Sequence, residues 1–377
     1  MKGILMMIGV LLTAVTAAAQ ETDTTGVEPQ KTKTEALMEK VQMVKNYLDS
    51  TAMAKVDPLY IEVPKKPWRV ILRQKNNTVV VDYDCEKEVG NWGLNFQPPL
   101  AKSVGFWVGY RGTGISYSYS LSKNAGRYFS FSSTGASYGF NFRYRRFNIK
   151  HATFHATVDE PGEEQKEVSF SDDLDSPVWI RSTYINGYYV FNGKRYSQAA
   201  AYNQSVIQRH SAGSLLLGAT WYQSSFDYDD IRNFVFVMIG NNVGRIKVHQ
   251  ADIGLGYGYN WVPLRGLVVN GMVMPQLSVY ERVKTYQYGF NYKNEQIKEL
   301  IEQEKKLPDD IEGWVSGTET DYSALHMNFD LRLGIAYNWS DYFVGLQLQM
   351  NNFNYGKNNL KVNIMDAWGR LSAGVRF

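Results

Sequence analysis

Asp330 and Arg332 stand two residues apart, and opposite charges at that spacing share one face of an extended strand. Arg143, Asp252, Asp366 and Arg370 occupy the same kind of position, each a charge flanked on both sides by apolar or small residues. Such groups could pair with one another, line an ion path, or supply carboxylates and cations to catalysis. Pairing is the reading adopted, because a buried charge left without its partner costs several kcal/mol.

Histidine offers less. His151 and His155 are four apart on one strand face, which separates the imidazoles by about 13 Å at about 3.3 Å per residue, too far for one metal ion. His326 joins the set that faces the charges. His210-Ser211 invites a nucleophile reading, but neighbours in a tight turn point to different sides and no nearby acid orients the histidine. No catalytic residue, metal ligand or cofactor site is assigned.

The elements that must position these groups are strands. In the last segment Ala367, Gly369, Leu371, Ala373, Val375 and Phe377 alternate with Trp368, Arg370, Ser372, Gly374 and Arg376. Val344, Leu346, Leu348 and Met350 alternate with Gly345, Gln347, Gln349 and Asn351, and Met327 to Tyr337 behaves likewise. The apolar set of each faces lipid and the polar set a lumen, so the inward charges are compelled: Arg or Lys on the lipid face near mid-membrane costs about 2–4 kcal/mol. Gly254, Gly256 and Gly258 fall inward, implying a crowded lumen or strong curvature.

Segments read as strands are Asn91–Gln97, Ser103–Arg111, Thr113–Leu121, Tyr128–Arg145, Phe147–Val158, Lys194–Ile207, Ala212–Tyr222, Ile246–Trp261, Arg265–Tyr280, Tyr322–Trp339, Asp341–Phe353 and Val362–Phe377. Arg69–Gln74 and Thr78–Asp84 could add a hairpin, while Ser176–Phe191 is assigned to an outer loop. Tight connections at Gly112, Arg145-Arg146, Arg209-His210, Val262–Leu264 and Ser340 alternate with longer ones, the pattern of short periplasmic turns and long outer loops. The fold expected is an all-β transmembrane antiparallel β-barrel of about twelve strands (10–14), over residues 68–377.

Before it, residues 1–19 carry Met1-Lys2, an apolar run from Ile4 to Val15 and Ala17-Ala18-Ala19, the layout of a cleaved secretory signal peptide. Residues 20–67 are a polar periplasmic segment in which Leu37, Val41, Val44 and Leu48 could form one short helix. Beyond the signal no apolar run reaches 18 residues, which excludes a helical membrane protein. A single cysteine, Cys85, excludes an internal disulfide, and a net charge of +3 gives no case for nucleic acid. The acidic run from Asp159 to Asp175 and a short amphipathic helix at Asn294–Lys306 belong to outer loops, the latter as a cap on the barrel mouth.

Two stretches carry a family resemblance: Asn91–Leu121, with the turn Tyr110-Arg111-Gly112, and Asn192–Tyr222, with Gln208-Arg209-His210-Ser211-Ala212-Gly213-Ser214. They resemble the Bacteroidota outer-membrane proteins grouped as domain of unknown function 4421, over roughly Trp68 to Phe377. The resemblance implies a barrel in the outer membrane of a Gram-negative bacterium and transfers no activity. The expected role is a narrow channel, transport component or structural surface protein; the alternatives are a barrel enzyme acting on lipid or envelope polymer, and an adhesin-like binder using its outer loops. Expected partners are outer-membrane lipid and lipopolysaccharide, and the barrel-assembly machinery through the strand ending in Phe377. The small-molecule ligand is open.

Arginine at Leu346 or Leu331 is expected to block insertion, and at Gln347 or Asn328 to be tolerated. Because the terminal aromatic marks the last strand for insertion, deleting Phe377 should sharply reduce the heat-modifiable, membrane-fractionated form; unchanged folded yield would count against the barrel.

Overall fold

The alternation of apolar and polar residues drives almost the whole described chain into strands. The computed structural model describes residues 38–40, 42–43, 45–46, 48–49, 56–87, 90–96, 100–121, 127–158, 166–230, 233, 237, 242–288, 315–357 and 360–377. In chain order the elements are β1 (Ile61–Glu62), β2 (Trp68–Lys87), β3 (Gly90–Phe96), β4 (Ala101–Tyr110), β5 (Thr113–Ser120), β6 (Arg127–Thr134), β7 (Tyr138–Val158) and β8 (Lys166–Val190). There follow α1 (Ala199–Tyr202), β9 (Ile207–Gln208), β10 (Ala212–Asp227), β11 (Val243–Leu264), β12 (Leu267–Tyr288), β13 (Val315–Ser323), β14 (Met327–Trp339), β15 (Tyr342–Lys357) and β16 (Leu360–Arg376).

Twelve strands close an antiparallel ring, β2-β4-β5-β6-β7-β8-β10-β11-β12-β14-β15-β16, with β16 paired to β2 from Arg376↔Arg69 to Leu360↔Cys85. At that seam Phe377 N donates to Trp68 O at 3.1 Å and Trp68 N to Phe377 O at 3.2 Å. Closure leaves no unpaired edge in the ring of described strands, the condition for backbone to cross a membrane as strands. At the opposite end β3 pairs with both β2 and β7, so one strand replaces the β4–β6 span, and β13 extends the line of β14 along β12. Among the described residues no helix is long and apolar enough to cross a membrane.

Both faces of the wall change polarity at one level. On β11 the outward residues Ala251, Ile253, Leu255, Tyr257, Tyr259 and Trp261 give way to His249, Lys247 and Arg245, and on β10 Leu215, Leu217 and Trp221 give way to Gln223 and Ser225. The apolar stretch matches the about 9–11 residues that a tilted strand needs. Inside, the order is reversed. Arg143 and Arg145 are followed by Phe147 and Ile149, Asp366 by Ile364 and Val362, and Gln349 by Phe353 and Tyr355, all buried. The upper residues join Val79, Val178, Tyr222 and Val283 in one apolar core.

Several segments differ from the sequence reading. Asn76 and Asn77 pair with Gly369 and Trp368 inside a continuous β2, so no hairpin forms there. The β6–β7 turn uses the small residues Gly135-Ala136-Ser137; Arg145 and Arg146 instead stay in β7 on opposite faces, one toward Asp366 and the other over the Trp179 ring. Ser176–Phe191 is no outer loop, since most of it lies in ring strand β8. Lys194–Ile207 is not a strand, and no tight turn forms at Arg209-His210: residues 191–211 fold inward between β8 and β10. The proposed helix at Asn294–Lys306, the signal segment and Asp159–Glu164 lie outside the described residues, as do Leu37, Val41 and Val44; Leu48 is described and buried.

Leu371 is 56% exposed on the outer apolar band, whereas Gln223 is exposed on the outer wall beyond Trp221. Leu371→Arg should destabilise the inserted barrel by about 2–4 kcal/mol, and Gln223→Arg should be nearly neutral, both read by urea unfolding in lipid vesicles. Equal effects would show that the band is misplaced.

Candidate functional site

The polar middle of the lumen is the densest chemical constellation. Arg145 Nη1 lies 3.0 Å from Asp366 Oδ1, and Arg143 Nη1 lies 3.9 Å from Oδ2. Across the lumen Arg332 Nε donates to both Asp330 oxygens at 3.0 and 3.1 Å and Nη2 to Asn186 Oδ1 at 2.8 Å, while Gln349 donates to Asp330 at 3.2 Å. Asp330 is wholly buried. Asp252 takes a hydrogen bond from Asn328 at 3.1 Å, and Arg370 reaches Gln347 and the Tyr202 carbonyl. Thus the sequence-derived charges Arg143, Asp252, Asp330, Arg332, Asp366 and Arg370 all point inward, but they form separate groups.

Sequence reasoning missed Arg69, Arg73, Lys75 and Arg145, all buried, and it placed Arg376 on the inward face without counting it among the lumen charges. The signal was available for β2, where Arg69, Ile71, Arg73 and Lys75 fall on one face; reading that segment as an optional hairpin hid it.

Residues 191–211 plug the ring at the end that holds both chain termini of the barrel. Their carbonyls receive the wall: Arg69 Nη1 donates to Asn203 O at 2.6 Å, Gln347 Nε2 to Ala201 O and Tyr202 O at 2.8 Å, and Arg376 Nη2 to Gln204 O at 3.0 Å. Arginine at Gln347 would therefore disrupt the plug rather than be tolerated, whereas at Asn328 it would stand beside the Asp252 carboxylate and could pair with it. Ala199, Ala200 and Ala201 are fully buried because only small side chains fit between α1 and the wall. A Cβ on Gly258 would collide with the Tyr196 ring of the plug, which accounts for that inward glycine by crowding.

The amino-terminal segment closes the plug from beneath. β1 pairs with β9 through Ile61↔Gln208 and Glu62↔Ile207, and Arg209 grips Glu62 at 2.9 Å. Asp49 accepts from Tyr110 Oη at 2.5 Å and Arg111 Nε at 2.9 Å, and the Tyr110 hydrogen bond first, then Arg111, holds its carboxyl below the usual range.

The histidines take separate partners. His151 lies 3.0 Å from Asp173, His155 2.9 Å from Asp84, and His326 2.7 Å from Glu281, which is itself buried and accepts from Gln250 at 3.0 Å. His210 packs edge-on against Tyr60, and Ser211 Oγ accepts from Val262 N at 2.9 Å, so the adjacent pair is structural.

On the outer wall, beyond the apolar band, a groove of about 580 Å³ is lined by Arg181, Lys247, His249, Arg282, Lys284 and Tyr286 among others. Arg282 and Lys284 face outward because a bulge in β12 opposite Ala251–Asp252 shifts the alternation by one residue, turning Glu281 and Val283 inward.

The family model for Domain of unknown function (DUF4421) matches residues 55–377, and the chain belongs to that family. Comparison with curated protein sequences gives no match. Among solved structures, the outer membrane protease OmpT from Escherichia coli is similar at 8% identity, covering 82% of this chain and 97% of that one with a TM-score of 0.41. The COG4313 outer membrane channel from Pseudomonas putida F1 matches at 10% identity, with 84% and 98% coverage and a TM-score of 0.32. The translocator domain of the autotransporter NalP from Neisseria meningitidis matches at 10% identity, with 91% and 97% coverage and a TM-score of 0.29.

Arg332→Leu leaves Asp330 buried and unpaired, so it should cost about 3–5 kcal/mol in denaturant unfolding. Adding Asp330→Asn should recover part of that loss; additive losses would show that the two side chains do not act as a pair.

Proposed function

We propose that this member of the DUF4421 family is a sealed, integral outer-membrane barrel that anchors its periplasmic segment and displays outer loops, and that solutes do not pass through its centre. The observation that carries the reading is the filling of the lumen at three successive levels: the apolar core around Tyr222 and Phe353, the ion-paired middle, and the plug of residues 191–211. An open path would require all three to part. The outward apolar band and the closed antiparallel ring support an outer-membrane location, with the plugged end in the periplasm.

Two partners follow from the same geometry. The strand closing the seam, β16, presents an exposed Phe377 to assembly machinery, and the cationic groove on the outer wall suits the phosphates of lipopolysaccharide at the edge of the apolar band. A second reading, hydrolysis of lipid or envelope polymer, is favoured by the His326–Glu281 pair near the outer rim, where a buried carboxylate orients a part-exposed imidazole.

Purified protein in planar bilayers should give no steady conductance, and deleting residues 195–206 should not by itself open one, because the upper apolar core remains. A steady, ion-selective wild-type current would overturn the sealed reading. Hydrolysis of a lipid or polymer lost in His326→Ala would move the second reading to first.

A further inference from the structure

A cavity of about 80 Å³ remains between the ion-paired middle of the lumen and the plug. Its wall carries four guanidiniums, from Arg73, Arg143, Arg332 and Arg370, and no carboxylate among the described residues. Arg332 is matched by Asp330, but Arg143 shares Asp366 with the closer Arg145. Arg73 is 6% exposed; it lies over the Trp107 ring at 5.2 Å, and its Nε has no hydrogen-bond partner. Lys75, 5% exposed, lies over the rings of Tyr128 and Trp368, which also line the cavity, and its Nζ has no hydrogen-bond partner either. Arg73, Lys75, Arg143, Arg145 and Arg370 therefore share one carboxylate, Asp366, in a place shielded from bulk water.

Buried charge in such excess is strongly unfavourable unless a counter-charge is present. The fork of N–H donors on each guanidinium matches an oxyanion, and the orphaned Nε atoms of Arg73, Arg143 and Arg370 and the Tyr202 hydroxyl supply donors that no protein acceptor uses. A single water needs about 10–15 Å³ of such space. The cavity thus has room for a tetrahedral ion with a few waters, and none for the glycerol and acyl chains of a lipid.

We propose that this cavity is a binding site for a free oxyanion of the phosphate or sulfate class, gripped by Arg73, Arg143 and Arg370 and closed on one side by Tyr202 and Asn203 of the plug. The site goes beyond the sealed-barrel reading and does not depend on it, since a lumen that conducts could hold the same ion. Its occupant offsets part of the excess positive charge of the wall and ties the plug to β2, β7 and β16 together.

The test uses the full-length barrel refolded from denaturant in lipid-free detergent and gluconate buffer, titrated with inorganic phosphate and with sulfate. The unfolding temperature should rise saturably, with one equivalent bound by calorimetry. Arg73→Gln should weaken binding at least tenfold, and without added oxyanion it should unfold no earlier than wild type, because the charge it loses was uncompensated. Arg282→Gln with Lys284→Gln, on the outer wall, should leave the titration unchanged. Should Arg73→Gln fail to fold, ion chromatography of phosphate-equilibrated, washed and denatured wild-type protein decides, with about one phosphate per chain expected. No saturable shift and no released ion, the result of a cavity filled by water alone, overturns the site; so does an Arg73→Gln barrel that folds and binds phosphate as wild type does.

Discussion

Each long strand of this barrel crosses from hydrocarbon into water, and that passage dictates the side chain at nearly every position. Where lipid lies outside, outward residues must be apolar, and polar side chains have only the lumen to occupy. Where water lies outside, the outer wall can carry Lys247, Arg282 and Lys284, and the inner face reverts to the apolar core of an ordinary soluble sheet, with Val79, Ile149, Tyr222 and Phe353 meeting across the ring. The two halves are distinct solutions to one rule, that an apolar face needs a dry neighbour.

The ion pairs and the plug follow from this division. In the lipid-embedded half the polar inner face cannot collapse on itself as an apolar core would, so its charges need partners within reach. Asp366 and Asp330 meet part of that need, and the backbone carbonyls of residues 201–204 meet more of it, while Arg73 Nε and Lys75 Nζ are left without an acceptor. An internal segment with its own unpaired carbonyls is the natural complement to a wall rich in arginine, because each supplies what the other lacks.

Most of the architecture could be read from alternation alone. The faces of β14, β15, β16 and the lower part of β11 follow directly from their apolar and polar sets, since one-sided contact with lipid leaves no other register. Three features escaped for physical reasons. The bulge at Val279 reverses the alternation without any Gly or Pro to mark it, so the outward direction of Arg282 is visible only from the pairing with β11. The upper strand ends carry apolar residues inward and polar ones outward, which mimics a register slip if lipid is assumed throughout. The plug reads as a strand between two turns because Tyr196, Ala200 and Val206 are apolar; what distinguishes it is the run of three alanines, a helix-forming stretch with no place in a lipid-facing wall. The lumen charges were read where a lone Asp or Arg interrupts an apolar run, and passed over in β2, where Arg73 and Lys75 lie beside Gln74, Asn76 and Asn77 and the two asparagines imitate a hairpin turn.

The seam between β16 and β2 is where the first and last ring strands must find each other, and the alternation of faces does not distinguish the correct alignment from one shifted by two residues. The plug supplies that distinction. Gln347 from β15, Arg370 and Arg376 from β16, and Arg69 from β2 all end on a run of consecutive carbonyls from Ala201 to Gln204. A shift by two residues would keep every face in place but carry the β16 arginines past those carbonyls and leave them bare. The loop between β8 and β10 thus serves as a gauge block inside the ring, a fixed length against which only one closure of the seam fits.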